Sequence, residues 1–264
     1  MSLIQLSERL ADRFRVLRSS ARGGVVGRHQ TLRATVEWSY RLLSVHEQIL
    51  FDRLSVFAGP FDLEAVEAVC GFEPLDPIDL VDILTGLVDK SLVVVDVSGP
   101  DTRYRLLETL RQFGLEQRHG RNNDADVRVR HLGHYQAIAS RARGWFEGPR
   151  SIEGSELFDK DWDQLRAALD WAETSGDGRS ADRLIVDCFG DAMFRPRHEY
   201  AAWARHRIDS SSRPDPDLLG QYMSTAVTSV AVNAANVSRF RKRLRITYRP
   251  SESDAGPARV AIRW

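Results

Sequence analysis

Apolar residues recur at three- and four-residue spacing through most of the chain, and this rhythm gives way once, to a β-branched run. Leu6, Leu10, Phe14 and Leu17 form one stripe across residues 1–22, the pattern of an amphipathic helix, and Gly23-Gly24 ends it. Leu32, Val36, Tyr40 and Leu43 predict a second helix from about Gln30 to Leu43. Ser44-Val45-His46-Glu47 then reads as a capping box, in which the serine hydroxyl and glutamate carboxylate satisfy free N–H groups at a helix start. Leu50, Leu54 and Phe57 follow at helical spacing until Gly59-Pro60. Asp62 caps a helix carrying Leu63, Val66 and Val69, stopped by Gly71. Asp76-Pro77 opens another, with Leu80, Leu84 and Leu87 as its stripe, because proline lacks only an N–H that the first turn leaves unused. Leu92 to Val97 is a strand, Ser98 to Asp101 a turn, Arg103 to Leu106 the return strand, and a fifth helix starts at Leu107. Four short helices, a hairpin and a helix, between Gln30 and Arg118, make a winged helix.

Beyond a polar break at His119 to Asp124, helices are predicted near 126–143, 155–174, 179–194 and 198–208. They have the size of antiparallel helical-repeat hairpins, without a clean 34-residue self-match. From Ser210 the pattern loosens, and residues 236–264, charged and containing Pro and Ser, are expected to stay disordered because they bury too little to order themselves. The expected fold is thus mainly α: a winged-helix domain over 25–120, then an all-α tetratricopeptide-like region over 125–208. A helix at 1–24 precedes them and a basic tail at 209–264 follows.

Charge sharpens this division. The 264 residues carry no net formal charge, yet residues 1–33 hold seven Arg against Glu8 and Asp12, and residues 236–264 hold eight basic groups against Glu252 and Asp254. Basic ends on an acidic body suggest cationic arms or the ends of a larger protein. Cys70 and Cys188, the only cysteines, sit far apart in apolar settings and read as buried thiols of a cytoplasmic protein. No apolar run approaches the ~18 residues of a membrane span, and the N-terminus lacks the apolar core of a secretory signal.

Four blocks carry a family resemblance. Gln30-Thr31-Leu32-Arg33-Ala34-Thr35-Val36-Glu37-Trp38-Ser39-Tyr40 resembles a bacterial signature, as do Leu54-Ser55-Val56-Phe57-Ala58-Gly59, Leu87-Val88-Asp89-Lys90-Ser91-Leu92 and Tyr104-Arg105-Leu106-Leu107-Glu108-Thr109. The family is that of large STAND-type regulators with an NB-ARC ATPase, often described as LuxR-family or adenylate-cyclase-linked transcriptional regulators. The resemblance implies an ATPase module, a winged helix, then tetratricopeptide-like helices beginning near Asp161-Trp162-Asp163-Gln164-Leu165-Arg166. It also implies that Leu10-Ala11-Asp12-Arg13-Phe14 corresponds to the end of the ATPase module, so that the stripe of residues 1–22 has lost its partner.

The chemistry of that ATPase is missing from this sequence. A P-loop needs glycines before a lysine so that backbone amides and the ammonium hold the phosphates, and Lys90, Lys160 and Lys242 have no glycine immediately before them. The methionine-histidine-aspartate nucleotide sensor of many relatives matches Leu106, Leu107 and Glu108 here, and leucine donates nothing to a phosphate. His131 and His134 share a predicted helix face, but no third ligand accompanies them, so a partly exposed pair is expected rather than a metal site. Trp38, Trp162, Trp171 and Trp203 read as core anchors. No enzyme activity and no cofactor are expected.

Direct DNA reading by the winged helix is disfavoured by charge. Its recognition helix, Ile78 to Ser91, carries Asp79, Asp82 and Asp89 against Lys90, and the hairpin adds Asp96 and Asp101 against Arg103. Phosphate binding needs the opposite sign. Arg239, Arg241, Lys242, Arg243 and Arg245 of the tail are the better candidates for nucleic-acid contact. The expectation is a non-catalytic regulatory module whose winged helix relays conformation and whose helical region docks a protein, with an ATPase module in trans as the candidate partner. The alternative is a DNA-binding transcriptional regulator acting through the winged helix or the tail.

Overall fold

The computed structural model describes residues 25–120, 124–146, 149–188 and 198–210. The helix expected over 1–22, its Gly23-Gly24 stop and the basic tail with Arg239, Arg241, Lys242, Arg243 and Arg245 lie outside the described residues. Among the described residues the fold is mainly helical, with a two-stranded antiparallel sheet. These residues fall into two compact units.

The first unit holds the described residues up to Ala137 together with Asp161–Trp171. Its helices are α1 (Val25–Arg41), α2 (Val45–Leu54), α3 (Leu63–Cys70), α4 (Leu80–Asp89) and α5 (Glu108–Gly120). The wing is β1 (Val94–Asp96) and β2 (Arg103–Arg105), paired antiparallel with Val95 opposite Tyr104. Phe61 adds a bridge to Tyr104, its N–H donating at 2.9 Å and its carbonyl accepting at 2.7 Å, so the chain between α2 and α3 touches the wing.

Local chemistry explains these limits. The Ser44 hydroxyl accepts from the Glu47 N–H while the Glu47 carboxylate accepts from the Ser44 N–H, as the capping-box spacing predicts. Asp62 caps α3 by accepting from the Ala65 N–H. Asp76 accepts from the Ile78 N–H, but what it starts is a 3-10 turn, Pro77–Asp79, and α4 proper begins at Leu80. The first helix starts at Val25, earlier than the apolar stripe alone suggested, since Val25 and Val26 lie outside that stripe. Ser91 has a φ of 59°, a left-handed residue that turns the chain from α4 into the buried pair Leu92 and Val93.

Leu50, Leu54, Phe57, Phe61, Val66, Val69, Leu80, Leu84 and Leu87 are buried and form the core. Tyr40 lies edge-on to Phe113 with ring centroids 5.2 Å apart, joining α1 to α5. Arg53 is an inward-pointing cation that fixes the loop after α3. It donates to the carbonyls of Cys70, Phe72 and Glu73 at 2.6–2.7 Å, and its guanidinium stacks 3.5 Å from the Phe72 ring.

Two further long helices are shared out between the units. They are α6 (Asp124–Phe146), which passes from the first unit to the second after Ala137, and α7 (Ser151–Thr174). Asp161 breaks the α7 geometry with φ −118° and ψ 16°, where the chain enters its first-unit stretch Asp161–Trp171. The second unit adds α8 (Gly178–Asp187) and α9 (His198–Ser210). Asp187 is fully buried there and accepts from Ser140 Oγ, from Arg143 at 3.1 Å and from Arg183 at 2.9 Å. Arg207 of α9 donates to Asp182 of α8 at 2.8 Å.

The tryptophans correct an expectation. Trp38 is 37% exposed, and Trp162, Trp171 and Trp203 are only half-buried. Phenylalanine and leucine fill the core, and the Trp171 ring instead carries the Arg128 guanidinium at 5.0 Å. No helix among the described residues is long and apolar enough to cross a membrane.

Candidate functional site

The face that a winged helix offers to a partner runs along α4 and the hairpin. On α4 and the 3-10 turn before it, Ile78, Asp79, Val81, Asp82, Thr85 and Asp89 are exposed, Ile78 by 85%. The opposite side, Leu80, Leu84 and Leu87, is buried. Asp96 and Asp101 add carboxylates on the hairpin, and hydrogen bonds from Ser98 to Asp96 hold that carboxyl below its ordinary range. Two neighbouring cations are engaged by other acids. Lys90 pairs with Glu47 of α2, and Arg103 pairs with Asp62 and Asp161. Arg105 is the exposed cation of β2. The face is therefore apolar and acidic.

Beneath the wing lies a buried polar network. Arg103 of β2 donates to Asp62 at 3.1 Å, to the Pro60 carbonyl at 2.6 Å and to Asp161 at 2.7 Å. Gln164, one turn beyond Asp161, accepts from the Ala58 N–H at 3.1 Å and donates to the Gly59 carbonyl at 2.9 Å. Its Oε1 also lies 3.0 Å from His131 Nε2. His131 is fully buried between Phe57 and Tyr135, and desolvation lowers its pKa to about 4. Of the histidine pair expected from sequence to be partly exposed, His134 is half-buried, whereas His131 is instead buried in the core, where desolvation favours its neutral form. Residue types alone concealed this network. The available signal was that Asp161 and Gln164 lie at helical spacing on the same stripe as Leu165 and Ala168, polar groups inside an apolar face.

A third feature is a groove of about 320 Å³ between α1 and α5, lined by Arg33, Val36, Glu108, Thr109, Gln112, Phe113 and Glu116. Val36 and Phe113 form its apolar floor, and a forked ion pair crosses its rim, Arg33 to Glu116 at 2.6 and 3.1 Å. Glu108 is held by Arg111 at 2.8 Å and by Gln112 at 2.6 Å, and these bonds lower its pKa. Leu106 is half-buried and Leu107 44% exposed beside it. Among the described residues no group of three or more His, Cys, Asp or Glu side chains could hold a metal ion.

Comparison with known proteins adds a frame. Residues 43–118 match the family described as Winged helix-turn-helix domain, which spans α2 to α5 and the wing. The chain is 45% identical over 179 residues to a Mycobacterium tuberculosis (strain H37Rv) protein whose name assigns it the role of HTH-type transcriptional regulator, and equally so to a Mycobacterium bovis counterpart. That match takes in 67% of this chain but only 20% of the regulator. An uncharacterized M. tuberculosis (strain H37Rv) protein is 38% identical over 153 residues, 58% of this chain and 36% of the relative. No solved structure matches the chain.

Proposed function

We propose that this chain serves transcriptional regulation, as a non-enzymatic winged-helix part of a larger HTH-type regulator. The observation that carries the reading is the winged helix-turn-helix itself, supported by the name of the 45% identical relative.

Two modes of action differ in what touches the α4 face. Direct DNA contact is the mode that the family match and the relative's name favour. It would need a docking pose that keeps Asp82 and Asp89 away from phosphates, since condensed counterions are displaced by cations and not by carboxylates. Docking of a protein is the mode that the exposed Ile78 and Val81, rimmed by Asp79 and Asp82, favour. In that mode the winged helix relays a conformational signal from a partner, such as an ATPase module in trans of the STAND type that the sequence resembles.

Titration of the purified chain with mixed-sequence duplex DNA at about 50 and 200 mM salt separates the modes. Affinity that survives the higher salt and falls on Arg105→Ala establishes direct contact. Affinity abolished by salt and untouched by that change, with no loss on Asp82→Lys, favours protein docking. Failure of the chain to alter transcription of any promoter in a strain expressing or lacking it would sink the regulatory reading.

A further inference from the structure

We propose that the wing is held by a latch with a built-in replacement partner: when Arg103 leaves Asp161, the buried hydroxyl of Tyr135 takes its place on that carboxylate. The inference supplies a moving part for the conformational relay proposed above, and rests on that reading for its use. Arg103, Asp161, Asp62 and Tyr135 all belong to the first unit. Tyr135 of α6 is 1% exposed, and its hydroxyl has no hydrogen-bond partner. A buried phenol costs free energy until it finds an acceptor, and phenylalanine would fill the same space without that cost. The ring is well used, edge-on to Phe57 with centroids 6.5 Å apart and tilted on His131 at 4.6 Å. Packing thus accounts for the ring and leaves the oxygen unexplained.

The groups that act on that oxygen are those of the latch. Burial above all pushes the Tyr135 phenol up, and the charges of Asp161 and then Asp62 push it further, against the opposing pull of Arg103. The hydroxyl therefore stays protonated, a donor within electrostatic reach of two carboxylates that one guanidinium holds, at 2.7 Å for Asp161 and 3.1 Å for Asp62. Asp161 is the one that needs a substitute. It is 3% exposed against 29% for Asp62, and Asp62 also caps α3 through the Ala65 N–H. Loss of Arg103 would leave a buried carboxylate short of a donor, which is costly. A donation from Tyr135 offsets that cost, so the wing can lift without it.

The surroundings suit such an exchange. Asp161 stands where α7 departs from helical geometry, so its side chain can turn without disturbing a continuous helical ladder. The wing's other tether is backbone: the Phe61 N–H donates to the Tyr104 carbonyl at 2.9 Å, and the Tyr104 N–H to the Phe61 carbonyl at 2.7 Å. Phe61 in turn stacks on Phe57 with centroids 4.2 Å apart, and Phe57 meets the Tyr135 ring. Release of the wing opens the two backbone bonds, which makes their amides its reporters.

Amide hydrogen exchange of the full chain, read residue by residue by NMR, tests this, with the amides of α2 as the measure of global unfolding. Tyr135→Phe removes the replacement donor and no hydrogen bond of the closed latch. Exchange at Phe61 and Tyr104 is expected to slow about tenfold relative to α2, the worth of a hydrogen bond to a charged group in the released state. Asp161→Ala should speed it, and adding Tyr135→Phe to that variant should change nothing more, because the hydroxyl has lost the carboxylate it serves. Exchange at Phe61 and Tyr104 that is unchanged or faster in Tyr135→Phe, relative to α2, would overturn the proposal. So would a slowing that persists in the Asp161→Ala background. Neither readout involves DNA or a promoter, so the latch can fail while the regulatory reading stands.

Discussion

Arg103 and Asp161 meet at 2.7 Å although 58 residues of sequence separate them, so the second strand of the wing is tied to the kink of α7. Asp161 is 3% exposed and Arg103 13%, which makes the pair largely desolvated. Removing one partner of such a pair leaves the other charge buried, and the cost then exceeds what the pair contributes over apolar residues. Asp161→Ala is expected to lower unfolding free energy by about 3 kcal/mol, and Asp161→Asn by less, since the amide oxygen still accepts from Arg103. Urea unfolding followed by tryptophan fluorescence measures both. A loss within about 0.5 kcal/mol for Asp161→Ala, the range of an ordinary surface change, would mean that the wing is held by the Phe61–Tyr104 bridge alone.

The winged helix was legible because its information is local. The Ser44–Glu47 box, the Asp62 cap and the Leu80, Leu84, Leu87 stripe each state a boundary or a buried face within one helical turn. The polar network under the wing was not legible, because Arg103, Asp62, Asp161, Gln164 and His131 come together only through tertiary packing. Charge counting foretold the acidic character of the α4 face, yet it credited Lys90 and Arg103 to that face, and both turn out to serve ion pairs. The tryptophans misled for a related reason: helical spacing marks a face, but it does not say whether a large ring sits at the centre or the edge of it.

Gly114 packs α5 against α2 closely enough to exclude a methyl group. A Cβ there would lie 2.9 Å from Ser55 Cβ and 3.3 Å from Phe51 Cε1. Gly114→Ala should therefore destabilise by about 1–3 kcal/mol despite its better helix propensity, because a packed core yields only by shifting backbone or rotamers. Gly133→Ala is the matched control on α6, where nothing lies within 4 Å of the new methyl. It should gain about 0.5–1 kcal/mol from helix propensity alone. Thermal midpoints of the two variants should move in opposite directions, and a common sign would refute the close approach of α2 and α5.

Cys70 is wholly buried at the end of α3, and desolvation pushes its thiol up to about 12. Only the thiolate attacks a disulfide reagent. The native protein should thus react with Ellman's reagent at Cys70 no faster than it unfolds, and denaturant should release both Cys70 and Cys188 at once. Rapid modification of Cys70 at neutral pH would require an opening near α3 that its packing does not provide.

His131 sets an acid limit on stability. Burial lowers its pKa from 6.5 to about 4, against the weaker upward pull of its hydrogen bond to Gln164, while His134, Arg118 and Arg128 add repulsion toward the charged form. In the unfolded chain the imidazole takes its proton near pH 6.5, whereas the folded protein resists until about 4. The unfolded state therefore binds more protons across that window, and stability must fall as pH drops through it. The full penalty is about 3 kcal/mol at pH 4, from 1.36 kcal/mol per unit. Glu47, Glu108, Glu116 and Asp124, whose pKa values are also lowered, act in the same direction, but from ordinary values of 4.5 and 3.8 they contribute at the acid end. The slope between pH 6.5 and 5 thus belongs mainly to His131. His131→Gln, which keeps a polar group near Gln164 and cannot titrate, should flatten that slope in urea midpoints measured across the window. An unchanged slope would place the proton-linked destabilisation elsewhere in the molecule.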